Sequence, residues 1–187
     1  FEAMSEMKWA DVLASLGGEV GLVATLDESR MVQLPIGTSP VEIPEPALMI
    51  VVRTQNEMLY DRILRAVKEN PSVATTAEPG LKMSAMPLPL PVPIPLQAVV
   101  ASSGDYLFLA TSTNLVKQAL AVRKGQATGV KDTPEFKELA RHLKLSGNQF
   151  SYTDKRLSKM VTEIQKQIMS AQGLPKEQAA LMQKLFL

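Results

Sequence analysis

The feature that most constrains this chain is a ten-residue run, Pro87 to Leu96, in which proline alternates with a large aliphatic residue. Proline fixes its own φ near about −65° and pushes the residue before it into the extended region. The run is therefore extended. Each interior proline would cost a helix about 3 kcal/mol, so although residues 83–104 carry no charge, they form no transmembrane helix.

The spacing of these prolines excludes one function and leaves two structures open. Polyproline ligands of SH3-type domains need prolines three residues apart, whereas all five prolines here lie at odd positions. In the first structure the run is an edge strand, in which the missing N–H groups face outward and block the addition of another chain. In the second it is a stiff apolar connector that docks elsewhere. Both treat residues 83–97 as a proline-rich extended arm.

Composition describes a globular protein and argues against nucleic-acid partners. The 187 residues are 45% hydrophobic, which predicts a single domain over 1–187. A net charge of +1 and 5% aromatic residues give no basic field and few stacking surfaces for nucleic acid. The chain begins at Phe1 and stops inside an apolar helical pattern near Leu187, so we expect it to be a fragment of a longer protein.

Hydrophobic periodicity predicts an α+β fold. Apolar stripes predict helices that begin near Trp9, after Thr54, at Thr113, at Pro134 and after Asp154, while apolar stretches predict strands at 20–26, 48–52, 97–101, 106–111 and 149–153. A capping box, Thr54 with Glu57, is expected to begin the second of these helices. From residue 47 the order resembles a split βαβ unit with extra helices, which predicts a mostly antiparallel sheet with helices on one face.

One shared core is predicted beneath these helices. The strands 48–52 and 106–110 are expected to share this core with apolar residues of the helices after Thr54, at Pro134 and after Asp154, because the stripes of these helices have no other large apolar surface to contact. The helix residues expected in this core are Leu59, Ile63, Phe136, Leu139, Leu157, Val161 and Ile164.

No motif for catalysis, metal or phosphate binding stands in the sequence. His142 is the only histidine and there is no cysteine, so a zinc site would lack its usual ligands. The glycines at 17 and 18 end a helix and begin a strand, the reverse of a phosphate-binding loop. Ser103 lacks the glycine two residues before it that a nucleophile elbow requires, and a hairpin turn explains it. The sequence predicts no catalytic, cofactor or metal residues.

Two groups of charged residues have structural explanations. The carboxylates Asp27, Glu28, Asp132 and Glu135 would serve an enzyme, but carboxylates at turns and helix N-termini are ordinarily caps. The basic residues Lys155, Arg156, Lys159 and Lys166 lie opposite the apolar stripe of their helix and share a face with Glu163, which is typical of a solvated surface.

Residues 98–157 carry a family resemblance. Four stretches resemble a group of exported bacterial proteins of unknown function: the run Gly104 to Ser112, Leu115-Val116 with the helix to Gly125, the short helix that begins Asp132-Thr133-Pro134-Glu135-Phe136, and the run Gly147 to Asp154. That group has no catalytic residues to carry over. The resemblance implies an extracytoplasmic, anchored and non-enzymatic protein.

The sequence therefore predicts a non-catalytic cell-envelope interaction or structural module, with a protein partner or self-association. The alternative is a carrier for a hydrophobic ligand, in which the arm covers an apolar cavity. Both use the same contact residues of the arm: Leu88, Leu90, Val92 and Ile94. An enclosed pocket would favour the carrier, and a flat exposed apolar strip the module. The expected location is periplasmic or otherwise extracytoplasmic, with the cytoplasm as the alternative.

Overall fold

A computed structural model describes residues 8–36, 40–89, 94–142 and 147–171. The strands are β1 (Leu16–Leu34), β2 (Val41–Thr54), β3 (Ala74–Glu78), β4 (Leu81–Pro87), β5 (Gln97–Ser103) and β6 (Tyr106–Ala110). The helices are α1 (Trp9–Ser15), α2 (Met58–Val67), α3 (Thr113–Arg123), α4 (Pro134–His142) and α5 (Lys155–Ala171), with a 3-10 turn at Val130–Asp132. The α+β class is confirmed.

The six strands form one antiparallel sheet in the order β1-β2-β6-β5-β4-β3. Strands β3 to β6 make a meander, and β6 returns to pair with β2, so that Phe108 lies opposite both Val51 and Ala101. The tight turn between β5 and β6 uses Gly104 at φ +61°, a left-handed conformation that suits glycine. The expected split βαβ order is not found, because four consecutive strands follow α2 and residues 149–153 form no strand.

The chain divides into two compact units. Within the described residues the first comprises 8–25, 47–89 and 95–129, and the second comprises 26–36, 40–46, 94, 130–142 and 147–171. Strands β1 and β2 contribute residues to both. One domain over 1–187 therefore stays a prediction.

In the first unit the sheet is apolar on both faces. Successive side chains of a strand point to opposite sides, so Phe108 faces away from Leu107 and Leu109. On the side of Phe108, which we call the helix-covered face, α3 packs through Leu115 and Val116. The strand residues of this core are Ala47, Met49, Leu81, Met83, Val99, Ala101, Phe108 and Ala110.

The opposite side, called the groove face, carries α2. Tyr60 of that helix is buried with Val100 and Leu107, and Ile63 and Leu64 are half-buried against them. The two helices thus lie on opposite faces, and the expectation of helices on one face is wrong. The reason is visible in β6, where consecutive apolar residues require cover on both sides.

The second unit has a separate, smaller core. Val32, Val41 and Ile43 are buried, and Ile164 and Ile168 of α5 pack against them. Phe136 of α4 is buried elsewhere in the unit, with its ring centroid 5.5 Å from that of Tyr152 and 5.7 Å from that of Phe150. Leu139 and Val161 are exposed. The expected single core is therefore wrong, because the helix stripes are divided among several clusters.

Strand β2 contains two prolines, Pro44 and Pro46, which precede the strand predicted at 48–52. The backbone N–H and carbonyl of Leu48 face β6 and not β1. The N–H donates to the Thr111 hydroxyl at 2.9 Å, and the carbonyl accepts the Thr111 N–H at 2.9 Å. Pro44 and Pro46 share the parity of Leu48, so their missing N–H groups fall on the same side. Since β6 ends at Ala110, these prolines interrupt no ladder, which is where a strand tolerates proline.

The proline-rich arm joins two neighbouring strands. Pro87 of β4 lies opposite Gln97 of β5, and the Leu88 N–H donates to the Leu96 carbonyl at 3.0 Å. Residues 88–89 and 94–96 form no strand, and 90–93 lie outside the described residues. The edge-strand interpretation is wrong for the described part, because β4 is paired on both sides and β1 and β3 are the outer strands. The interpretation of the arm as a connector agrees with the described residues, which link β4 to β5 without forming a strand.

Candidate functional site

The first unit carries an open apolar groove of ≈ 410 Å³ on the groove face of the sheet. Its floor comes from β2, β4, β5 and β6, and α2 forms one wall. The lining residues are Leu22, Leu48, Met49, Ile50, Ile63, Val67, Val73, Ser84, Ala85, Met86, Ala98, Val99, Val100, Leu109, Ala110 and Thr111. Among the described lining residues, only Ser84 and Thr111 carry polar side-chain oxygens, and none carries a charge.

The groove exists because α2 is short relative to the sheet it lies on. The helix has ten residues, and only Ile63 and Val67 of it reach the groove. Beyond it, Leu48 remains 50% exposed and Ile50 40% exposed. Leu22 of β1, which also lines the groove, is 74% exposed. Large aliphatic side chains gathered at the rim of a concave surface are typical of a binding site.

The polar groups at the groove are already paired within the protein. The Ser84 hydroxyl lies 3.1 Å from the Thr75 hydroxyl, and the Thr111 hydroxyl accepts the Leu48 N–H at 2.9 Å. Asn70, beside the groove, donates through Nδ2 to the sulfur of Met86 at 3.1 Å. The groove therefore offers shape and apolar area, with no prepared partner for a charged or strongly polar ligand.

Helix α2 is held on the groove face by polar contacts at its N-terminus. The Asn56 side-chain oxygen accepts the Met58 N–H at 3.1 Å in a turn just before the helix. Glu57 is the N-cap residue and makes no side-chain cap hydrogen bond, so the predicted capping box at Thr54 does not form. Lys82 of β4 pairs with Glu57 at 2.5 Å. The hydrogen bond from the Lys82 ammonium to Glu57 raises the pKa of Lys82. These contacts place Ile63 and Val67 over the sheet.

A second polar cluster ties α3 to the helix-covered face. Asp105, in the turn before β6, accepts hydrogen bonds from Arg53 Nε at 3.1 Å and from Arg123 Nη2 at 3.2 Å. The Arg123 guanidinium also lies 4.7 Å above the Tyr106 ring, a cation–π contact. A hydrogen bond from its own backbone N–H, and then the Arg53 guanidinium, lower the pKa of Asp105. This carboxylate is a structural tie and a poor proton acceptor.

The four carboxylates considered for catalysis lie in strand β1, in the 3-10 turn before α4 and in the first turn of α4. Asp27 accepts the hydroxyl and backbone N–H of Ser29, and these hydrogen bonds lower its pKa. Glu28 and Glu135 contribute to the raised pKa of Arg156, after the larger effect of Asp154. Asp132 belongs to the 3-10 turn before α4. Asp27 therefore makes local hydrogen bonds with Ser29, and Glu28 and Glu135 interact electrostatically with Arg156.

The remaining charged residues singled out from the sequence are on the surface. His142 lies at the end of α4 with Nε2 3.5 Å from Glu138 Oε1 and is mostly exposed. Within 8–36, 40–89, 94–142 and 147–171, no three His, Cys, Asp or Glu side chains gather as a metal site. The predicted basic face of α5 is exposed, and two of its members pair locally, Arg156 with Asp154 and Lys166 with Glu163.

The predicted contact residues of the arm do not line the groove. Leu88 is half-buried at the end of β4 and is not among the lining residues. Ile94 packs against the core of the second unit. Leu90 and Val92 lie outside the described residues, so a role of the four in partner contact stays a prediction.

The sequence predicts most residues of the groove as parts of strands or of a helix core, and it predicts no groove between them. In the run 48–52 every residue is apolar, which predicts burial on both sides. A ten-residue helix facing several strands is the signal that one side would be incompletely covered.

Comparison with protein-family models, with curated proteins and with solved structures finds no match to this chain. The resemblance of residues 98–157 to exported bacterial proteins therefore stays a prediction. No helix of the described residues has the length and hydropathy to cross a membrane.

Proposed function

We propose that this protein is a non-catalytic interaction module that binds an apolar segment of a protein partner in the groove. The observation that carries the proposal is the exposed rim. Leu48 and Ile50 are about half exposed beside an apolar floor, and the groove is open to solvent along this rim. A partner segment that brings its own surface would remove both side chains from water.

The rim also discriminates between partner types. A volume of ≈ 410 Å³ suits a small ligand, since such sites hold about 300 to 1,000 Å³. A small apolar ligand lying in an open groove would keep one side in water, whereas a protein segment would cover the rim as well. Full burial of a leucine or isoleucine side chain is worth about 1.5 to 3 kcal/mol, so covering Leu48 and Ile50 provides a useful part of a binding free energy.

The chemistry expected of the partner follows from the lining. With no charged side chain in the groove, a charged group entering it would lose its hydration without compensation. The bound segment should therefore present uncharged aliphatic or aromatic side chains. The absence of catalysis belongs to the same proposal and is supported by the hydrogen bonds of Asp27 with Ser29, which lower the pKa of this carboxylate and make it a weaker base.

The second candidate, a carrier for a hydrophobic ligand, is favoured by one observation. The groove volume is in the range of small-molecule sites and nearly all lining side chains are apolar. A carrier predicts that a fatty acid such as palmitate binds more tightly than any peptide.

The experiment is a peptide selection with a matched counter-selection. A random peptide library is selected on the wild-type protein and depleted on Ile50→Lys, and the affinity of the enriched peptides is measured by fluorescence anisotropy. We expect peptides with several spaced apolar residues, whose affinity falls about tenfold or more in Ile50→Lys and in Leu48→Lys. Val122→Lys, which changes an exposed apolar residue of α3, should leave binding unchanged.

Two different results would contradict the interaction module. If no peptide is enriched, or if the affinity is unchanged in both groove variants while their thermal melts match wild type, the groove is not the binding site. Palmitate binding that exceeds every peptide affinity and is lost in Ile50→Lys would establish the carrier instead.

The location of the protein is part of this proposal and rests on the resemblance in residues 98–157. We propose a cell-envelope location, at the extracytoplasmic side. Fractionation of cells that produce the full-length gene product would test it, and recovery of the protein in the cytoplasmic fraction alone would contradict it.

A further inference from the structure

The two outer strands of the sheet differ in how they are protected. An outer strand leaves backbone N–H and carbonyl groups unpaired along one side, and proteins block such edges with short strands, prolines and charges. Strand β3 is only five residues long, ends in Glu78 and is followed by Pro79. The part of β2 that extends beyond β6 carries Pro44 and Pro46. Each of these edges is poorly suited to further pairing.

Strand β1 lacks this protection in its first-unit part. Residues 20–25, Val-Gly-Leu-Val-Ala-Thr, contain no charge and no proline. Val20 is 73% exposed and Leu22 is 74% exposed. Val23 packs against the core of the helix-covered face, so by alternation Val20, Leu22 and Ala24 lie on the groove face. No strand of the described residues pairs with the outer side of β1, so an open backbone edge and a row of exposed apolar side chains occur together in this part of the chain.

We propose that residues 19–25 of β1 pair antiparallel with the same segment of a second copy, around a two-fold axis at Leu22. In this register Leu22 faces its own counterpart, Val20 faces Ala24, and Glu19 faces Thr25. Every apolar residue of the groove face meets another apolar residue, which is the type of cross-strand pair that stabilises a sheet. A two-fold interface of this kind closes at the dimer.

The apolar residues of this segment are self-complementary about Leu22, which favours a second copy as the occupant, and charge favours this axis over the axis at Val23. An axis at Val23 would place Glu19 opposite Asp27, and like charges directly opposite destabilise a strand pair. With the axis at Leu22 no carboxylate faces another. Opposite residues of an antiparallel pair lie on the same face, so the two grooves would lie on the same side of a continuous sheet. The dimer does not depend on the groove binding a partner.

The test is the oligomeric state, measured by sedimentation velocity over a wide concentration range. The wild-type protein should form a concentration-dependent dimer. Leu22→Lys and Leu22→Glu each place two like charges at the centre of the interface, so each should be monomeric. An equal mixture of the two should recover the dimer, because the ammonium and carboxylate groups then face each other. Val122→Lys is the matched control and should dimerise like wild type.

A second pair of variants tests the register at its end. Thr25→Lys should tighten the dimer and Thr25→Glu should weaken it, each by about two- to fivefold, because residue 25 faces Glu19. A wild-type protein that stays monomeric at every concentration would overturn the proposal and leave the edge to a strand of another protein. Dimerisation of Leu22→Lys equal to wild type, or a mixture of the two charge variants that stays monomeric, would also overturn it.

Discussion

The two faces of the first unit's sheet are built from the same strands, but they end in different states. On the helix-covered face Phe108 and Ala101 are buried under α3, and Val116 of that helix is fully buried. On the groove face α2 buries Leu107 and leaves Leu48 and Ile50 at a solvent-exposed rim. Both faces are apolar, so the difference lies in the area that each helix covers. The uncovered part is where binding is proposed.

The largest expected effect tests whether the helix-covered face carries the stability. Phe108→Ala removes a buried ring and should lower the free energy of unfolding by about 3 to 5 kcal/mol. Leu48→Ala, on the groove face, removes a half-exposed side chain and should cost about 1 kcal/mol. Urea denaturation with each variant measures both. Equal losses at the two positions would mean that the groove is closed in solution.

An intermediate effect is expected where α2 meets the groove. Ile63 is half-buried and contributes to both the groove-face core and the wall of the groove. Ile63→Ala should cost about 1 to 2 kcal/mol, less than a fully buried isoleucine, and should weaken peptides selected on the groove. Arg65→Ala on the same helix is exposed and should change the free energy of unfolding by less than about 0.5 kcal/mol. An unchanged peptide affinity in Ile63→Ala would exclude α2 from the binding site.

Much of the helix-covered face could be predicted from the sequence, because its pattern is local. The stripe after Thr113 and the apolar strands at 97–101 and 106–111 correspond to α3, β5 and β6. Strand β3 was missed because its sequence, Ala-Thr-Thr-Ala-Glu, has no large apolar residue to reveal it. A strand was wrongly expected at 149–153, where Phe150 and Tyr152 contact the Phe136 ring instead of a sheet.

The groove could not be predicted, because it depends on how far one helix extends over distant strands. The position of prolines in a strand also depends on distant parts of the chain. The rule that prolines are tolerated on an open strand side was applied to residues 87–96, yet it describes Pro44 and Pro46. Which side of a strand is open depends on where its neighbour ends, and here that neighbour is separated from the prolines by more than sixty residues.

The smallest expected effects are on the pH dependence of stability, which should differ between a charged residue of the helix-covered face and one of the groove face. The turn residue Asp105 ties α3 to the helix-covered face, and its pKa is lowered from 3.8, first by a hydrogen bond from its own backbone N–H and then by Arg53. Its contribution to stability is therefore fully present above pH 3.8 and is lost as the pH falls through the lower folded value. On the groove face the pKa of Lys82 is raised from 10.5, chiefly by the hydrogen bond to Glu57. Its contribution is present below pH 10.5 and is lost as the pH rises through the higher folded value.

Urea denaturation of wild type, Asp105→Asn and Lys82→Met across the pH range would measure these two contributions. The difference between wild type and Asp105→Asn should shrink only on the acid side, below pH 3.8. The difference between wild type and Lys82→Met should shrink on the alkaline side, above pH 10.5. Both differences should be small, because the side chains are exposed and salt screens them. If the Asp105→Asn difference stayed constant down to the lowest pH, the arginines would not be holding this carboxylate, and α3 would be fixed by its buried side chains alone.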